Sequence, residues 1–175
     1  KAQPGAIPDS NPYIGWAPWA TGLPYADIQP TLAFALVRWM DLEFSKGQYD
    51  FSAFEKSINL EYCRANNIRL IFRIVLDYPN AEQQTQLPAW LYDEIAGDGT
   101  WYDNDRGRSG FSPNYANKIL IGAHQRLVAA LGQRYNQDPN VAFIQLGSLG
   151  HYGEWHVSDR AGSMPSAGVT ATYVE

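Results

Sequence analysis

Glu154 lies in the run Phe143-Ile-Gln-Leu-Gly-Ser-Leu-Gly-His-Tyr-Gly-Glu-Trp-His156, where a short apolar strand at residues 141–146 enters a glycine-punctuated loop. In α/β proteins such strands deliver functional groups at their C-terminal ends. A glutamate beside Tyr152 and Trp155 is expected to be partly desolvated, which favours its protonated form and suits it to general acid work. The competing reading is a loop carboxylate that accepts hydrogen bonds from nearby backbone N–H groups. His151 and His156 flank it, but an i, i+5 spacing on a loop is no metal signature, and neither a metal nor another cofactor is expected. Asp41 and Glu43 form a second carboxylate pair, with Asp41 expected at a cleft and Glu43 capping or salt-bridging its own loop. Asp77 closes the next strand, either bonding ligand hydroxyls or starting a turn before Pro79. Trp16, Trp19, Trp39, Trp90 and Trp155 fall at or near strand ends, where a flat ring can stack on a sugar, although core packing is the ordinary use of each. His124 reads as a core histidine, and Arg106-Gly-Arg108 as a solvated or carboxylate-pairing loop.

The elements that must position these groups alternate. Residues 11–19 read as a first strand or strand-to-loop segment broken by Pro12 and Pro18, and Leu32-Ala-Phe-Ala-Leu-Val-Arg38 as a parallel strand buried on both faces. A polar loop follows at residues 39–48. A helix then runs to about residue 65, capped by Asp50 or by Ser52 with Glu55, and Asn66-Asn67 ends it. Residues 68–76 form the next strand, followed by a long loop at 77–113 holding a short helix at 87–95. Residues 115–135 form a long helix with Ile119, Leu120, His124, Leu127, Val128 and Leu131 on its apolar side. Four strands with intervening helices predict an α/β fold, specifically the N-terminal half of a (β/α)8 barrel, since a whole one takes about 250 residues. A small open α/β sheet is the alternative. The expected layout is an extended segment at 1–10, a half barrel at 11–157, and a loop or tail at 158–175 leading to a second half.

Composition narrows the function classes. Hydrophobic content of 45% against 18% charged residues describes a folded globular chain. A net charge of −5 without a basic stripe disfavours nucleic acid, because phosphate contacts need clustered Lys and Arg. No apolar run approaches the roughly 20 residues of a membrane span. Cys63 is the only cysteine, so no intrachain disulfide or thiolate metal site forms, and it reads as a small core residue. Aromatic residues make up 14%, a supply that carbohydrate clefts also use. The polar, Pro-rich opening Lys1-Ala-Gln-Pro-Gly-Ala-Ile-Pro-Asp-Ser10 reads as a mature N-terminus after export, secreted or periplasmic, with an expression remnant as its rival.

Three stretches resemble the glycoside hydrolases of the (β/α)8 superfamily often called clan A, and within it the bacterial β-galactosidase-type and related glycosidases. Leu36-Val-Arg-Trp-Met-Asp-Leu-Glu43 with Lys46-Gly-Gln-Tyr-Asp-Phe51 looks like their second strand and the E-P-x-x-G-x-Y-D-F loop after it. Ile68-Arg-Leu-Ile-Phe-Arg73 with Leu87-Pro-Ala-Trp-Leu91 is similar to their third strand, and residues 141–156 to a fourth strand ending in the acid/base glutamate. The likeness spans about residues 11–157. It implies that Glu154 is the acid/base and that Arg38 lies beneath the nucleophile and keeps it ionised. Trp16, Trp39, Asp41, Asp77, His151, Tyr152, Trp155 and His156 are then the candidate substrate-binding residues. Two positions depart from the pattern: Phe44 stands at a usual proline, and Gly153 at the asparagine that contacts the sugar 2-hydroxyl.

The resemblance therefore implies cleavage of a β-linked sugar by retaining acid/base catalysis. That chemistry needs two carboxyl groups about 5 Å apart. The family nucleophile lies on a seventh strand, so the expected partners are a carbohydrate and a second polypeptide completing the barrel, either a cleaved C-terminal half or another subunit. A non-catalytic carbohydrate-binding barrel is the alternative that Gly153 raises.

Overall fold

The computed structural model describes residues 15–105 and 107–174. Strand β1 (Leu32–Arg38) leads through a 3-10 turn into a small hairpin, β2 (Glu43–Ser45) with β3 (Gln48–Tyr49). Helices α1 (Phe51–Ser57) and α2 (Leu60–Ala65) precede strand β4 (Arg69–Val75). Helix α3 (Ala89–Glu94), a second hairpin of β5 (Gly99–Asp105) and β6 (Arg108–Pro113), and the long helix α4 (Lys118–Tyr135) lead to β7 (Val141–Gln145) and α5 (Ala167–Ala171). The parallel sheet has the order β1-β4-β7, with Leu36 opposite Arg73 and Arg73 opposite Gln145.

This corrects the expected half (β/α)8 barrel and, with it, the resemblance to clan A glycosidases. Three parallel strands form one small sheet, and two antiparallel hairpins interrupt the chain between them, so a succession of four βα units is not built. The described part of the expected first strand contributes a single parallel bridge, Trp19 to Phe34, while residues 11–14 lie outside the described residues, as does the segment 1–10. Alternating strands and helices occur equally in open and closed sheets, so the pattern never contained barrel closure.

Local signals explain the elements. Asp50 caps α1 by accepting from the Ala53 N–H at 2.8 Å, and Asn59 at φ 56° breaks the expected single helix into α1 and α2. Asn117 caps α4, its side-chain oxygen accepting from the Ile119 and Leu120 N–H groups. Buried positions alternate along β1, where Ala33, Ala35 and Val37 face the helices and Phe34, Leu36 and Arg38 are half-buried on the other face. Beneath the sheet Phe54, Phe72 and Tyr135 meet at ring separations of 5.4–6.0 Å. Such pairs add about 0.5–1.5 kcal/mol each beyond their burial. Glu55 ties three helices together, accepting from Arg64, Arg134 and the Tyr135 hydroxyl. Burial opposes its charge, but the two guanidinium hydrogen bonds hold its carboxyl below the usual range. On β7 and just after it the burial pattern opens, with Phe143 54%, Ile144 38% and Leu146 64% exposed. No described helix is long and apolar enough to cross a membrane.

Candidate functional site

The carboxyl ends of β1, β4 and β7 carry nearly all the chemistry-bearing residues. Arg73, near the end of the central strand, organises the half-buried face of the sheet. Its Nε donates to Gln145 Oε1 at 2.9 Å, and its Nη1 donates to the Tyr152 carbonyl at 3.0 Å and to Glu154 Oε1 at 3.4 Å. The guanidinium also lies 5.7 Å from the Phe34 ring centre. The loop closes tightly over this side chain. A Cβ on Gly147 would fall 1.9 Å from Arg73 Cγ, and one on Gly153 (φ +66°) 1.7 Å from the Gly147 carbonyl oxygen. Gly153 thus occupies a place where no side chain fits.

Glu154 is presented by this loop to solvent. Its side chain is 55% exposed beside Arg73, so the aromatic desolvation expected from the sequence does not occur. Trp155 (φ 57°) turns away, donating its Nε1–H to the Leu146 carbonyl at 2.9 Å and lining an apolar groove with Leu127 and Ile144. The carboxylate keeps one oxygen beside Arg73 and leaves much of the group open to solvent.

Asp77 is fully buried beneath the loop. Tyr102 donates to Oδ1 at 2.6 Å, and His151 Nδ1 donates to Oδ2 at 2.8 Å. His151 Nε2 accepts from the Ser158 N–H at 3.1 Å, which assigns the ring proton to Nδ1. Burial and the Asp77 charge push the Tyr102 hydroxyl far up, so it stays a donor. The Tyr152 N–H, at 2.8 Å from the Asp77 carbonyl, completes the anchor. Asp77 and His151 hold the loop in shape, and neither offers a free atom for acid/base work.

Arg38 and Asp41 meet each other. Nε and Nη2 of Arg38 donate to the two Asp41 oxygens at 2.5 and 2.6 Å. Trp39 is fully buried and donates to Glu43 Oε2 at 2.7 Å, while Glu43 Oε1 accepts the Gly47 N–H at 2.8 Å. Trp16 is 59% exposed and packs on Tyr25, away from the loop. Trp90 is partly buried, with Lys46 Nζ 5.8 Å from its ring centre.

Two openings flank the loop. One, of about 280 Å³, is lined by Trp19, Arg38, Asp41, Tyr78, Asn80 and Gln86 among others. The second, of about 400 Å³, is lined by Pro79, Arg108, His151, Tyr152, His156, Val157 and Ser158. Tyr78 and Tyr152 stand between them in edge-to-face contact at 4.9 Å, and Arg108 Nη1 donates to the Tyr152 hydroxyl. Arg106, the other basic residue of that hairpin, lies outside the described residues. Tyr78 and Gln86 are not singled out by the sequence, and Arg73 and Arg108 stand there only as parts of a strand and a loop. Arg73, a lone arginine inside the apolar run 70–76, is the one available signal. Among the described residues no group of three or more His, Cys, Asp or Glu side chains is placed to hold a metal ion.

His124 couples α4 to the loop, its Nε2 lying 2.7 Å from Ser148 Oγ. Burial pushes its pKa down from 6.5 to about 4. The unfolded chain therefore binds the extra proton first, so this contribution is complete above pH 6.5 and is lost as pH falls toward 4. The difference is worth on the order of 3 kcal/mol. Chemical denaturation across that window is expected to lose stability steeply, and His124→Gln to flatten the dependence.

Compared with known proteins, the chain matches no family model and no curated protein.

Proposed function

We propose that this chain acts on a carbohydrate, with Glu154 as the proton-transferring carboxyl for cleavage of a β-linked sugar. The observation that carries the reading is Glu154 itself, an accessible carboxyl set beside Arg73 on a rigid loop at the carboxyl end of a parallel sheet. The same loop lines an opening of about 400 Å³ through His151, Tyr152 and His156, where polar groups stand beside an aromatic ring as they do in saccharide clefts. Hydrolysis through paired carboxyls needs a second one. We propose that a second polypeptide supplies it, since Asp41 is held by Arg38 and Asp77 is buried under the loop.

The test is turnover of aryl β-glycosides by the wild type and by Glu154→Gln, each assayed with the polypeptide that co-purifies with it. For a substrate whose leaving group needs a proton, the variant is expected to lose about 10²–10⁴-fold in kcat/KM. For 2,4-dinitrophenyl glycosides, whose leaving group needs none, the loss should shrink to a small factor. Equal loss on both would mean a structural role for Glu154. The second reading is carbohydrate binding without chemistry, favoured by the solvated, ion-paired state of Glu154, and it would show as sugar affinity with no turnover in either protein.

A further inference from the structure

We propose that the opening between Trp19 and Gln86 is a subsite for one neutral sugar ring, with the Gln86 carboxamide reading two adjacent hydroxyls. The inference rests on the carbohydrate reading above and assigns part of its recognition. Gln86 is 1% exposed, and neither its Nε2 nor its Oε1 has a hydrogen-bond partner. A buried amide left unpaired on both atoms is costly, and native structures keep such groups where something else pairs with them. The segment is fixed from behind, its Gln86 carbonyl accepting the Met40 N–H at 3.0 Å.

Gln86 lines the cavity of about 280 Å³, a volume near the lower limit of small-molecule pockets and suited to a single ring, and its amide atoms, closed to solvent in this state, meet a ligand there once the carboxamide turns into the opening. A carboxamide donates at one atom and accepts at the other, which matches neighbouring hydroxyls that each do both. The charges at the cavity are already matched, Arg38 against Asp41, which favours an uncharged ligand over an anion. Trp19, 52% exposed and tilted on Phe34 at 5.2 Å, supplies a flat apolar face at the same opening. Asn80 spends its side-chain oxygen on the Ala81 N–H, leaving its amide N–H₂ as a further donor.

The experiment titrates the chain with methyl β-glucoside, methyl β-galactoside, methyl β-mannoside and methyl β-xyloside, followed by calorimetry and by tryptophan fluorescence. At least one should bind with a millimolar or tighter Kd. Gln86→Leu, which keeps the volume and removes the unpaired amide, should weaken that binding by about tenfold or more while leaving the thermal midpoint unchanged or raised. Trp19→Ala, at an exposed position, should weaken it in the same direction. Affinity that survives both changes overturns the subsite while leaving the carbohydrate reading intact. Binding of none of the four by the wild type overturns both.

Discussion

Gly153→Ala is expected to cost about 3 to 5 kcal/mol of stability, the range of severe local substitutions. Two causes add. At φ +66° an alanine is held in a left-handed conformation that L residues avoid, at about 1–2 kcal/mol. Its Cβ would also meet the Gly147 carbonyl oxygen at 1.7 Å and the Gly147 carbonyl carbon at 2.6 Å, a clash with backbone that no side-chain rotation relieves. Guanidinium denaturation measures the loss. The Arg73 contacts to Tyr152 and Glu154 should break together, so any turnover or sugar affinity should fall with stability. A variant as stable as the wild type would show that the loop is looser than its geometry states.

Asp77→Ala is the second large effect. It removes both acceptors from a fully buried anchor, leaving the His151 Nδ1–H and the Tyr102 hydroxyl without their partners. Each buried donor left unpaired costs about 1–3 kcal/mol, so together they are a large part of the roughly 5–15 kcal/mol that holds a domain folded. Asp77→Asn should cost less, since the amide oxygen still accepts one bond while its nitrogen faces a donor. The ranking Ala below Asn below wild type, read from denaturant midpoints, checks the role. Near-equal midpoints would mean that Asp77 does not anchor the loop.

Why some of this was legible in the sequence and some not follows from the range of the forces. The apolar runs ending at Arg38 and Val75 announce strands because burial on a sheet selects them locally, and the long helix announces itself through the spacing of Leu120, Leu127 and Leu131. Asp50 acts as a cap within three residues of itself. The hairpin of β5 and β6 was hidden because its strands are short on aliphatic residues. Tyr102 and Phe111 bury its inner face, and Gly107 at φ +80° turns it, a pattern of aromatics around a glycine that is easily read as loop. Barrel closure was misread because it depends on strand pairings absent from local pattern. The Asp77–His151 bond spans 74 residues, and the pairing of Arg73 with Glu154 spans 81. Gln86 sits in a polar stretch, and only packing reveals that its amide is both buried and unpaired.

The central claim is that a sugar is placed for proton transfer at Glu154. A crystal structure of Glu154→Gln soaked with β-linked disaccharides tests it most directly. The expected result is a glycosidic oxygen about 2.6–3.2 Å from the side chain at position 154, the reach that proton transfer requires. A disaccharide bound elsewhere, with that side chain turned to solvent, would contradict it.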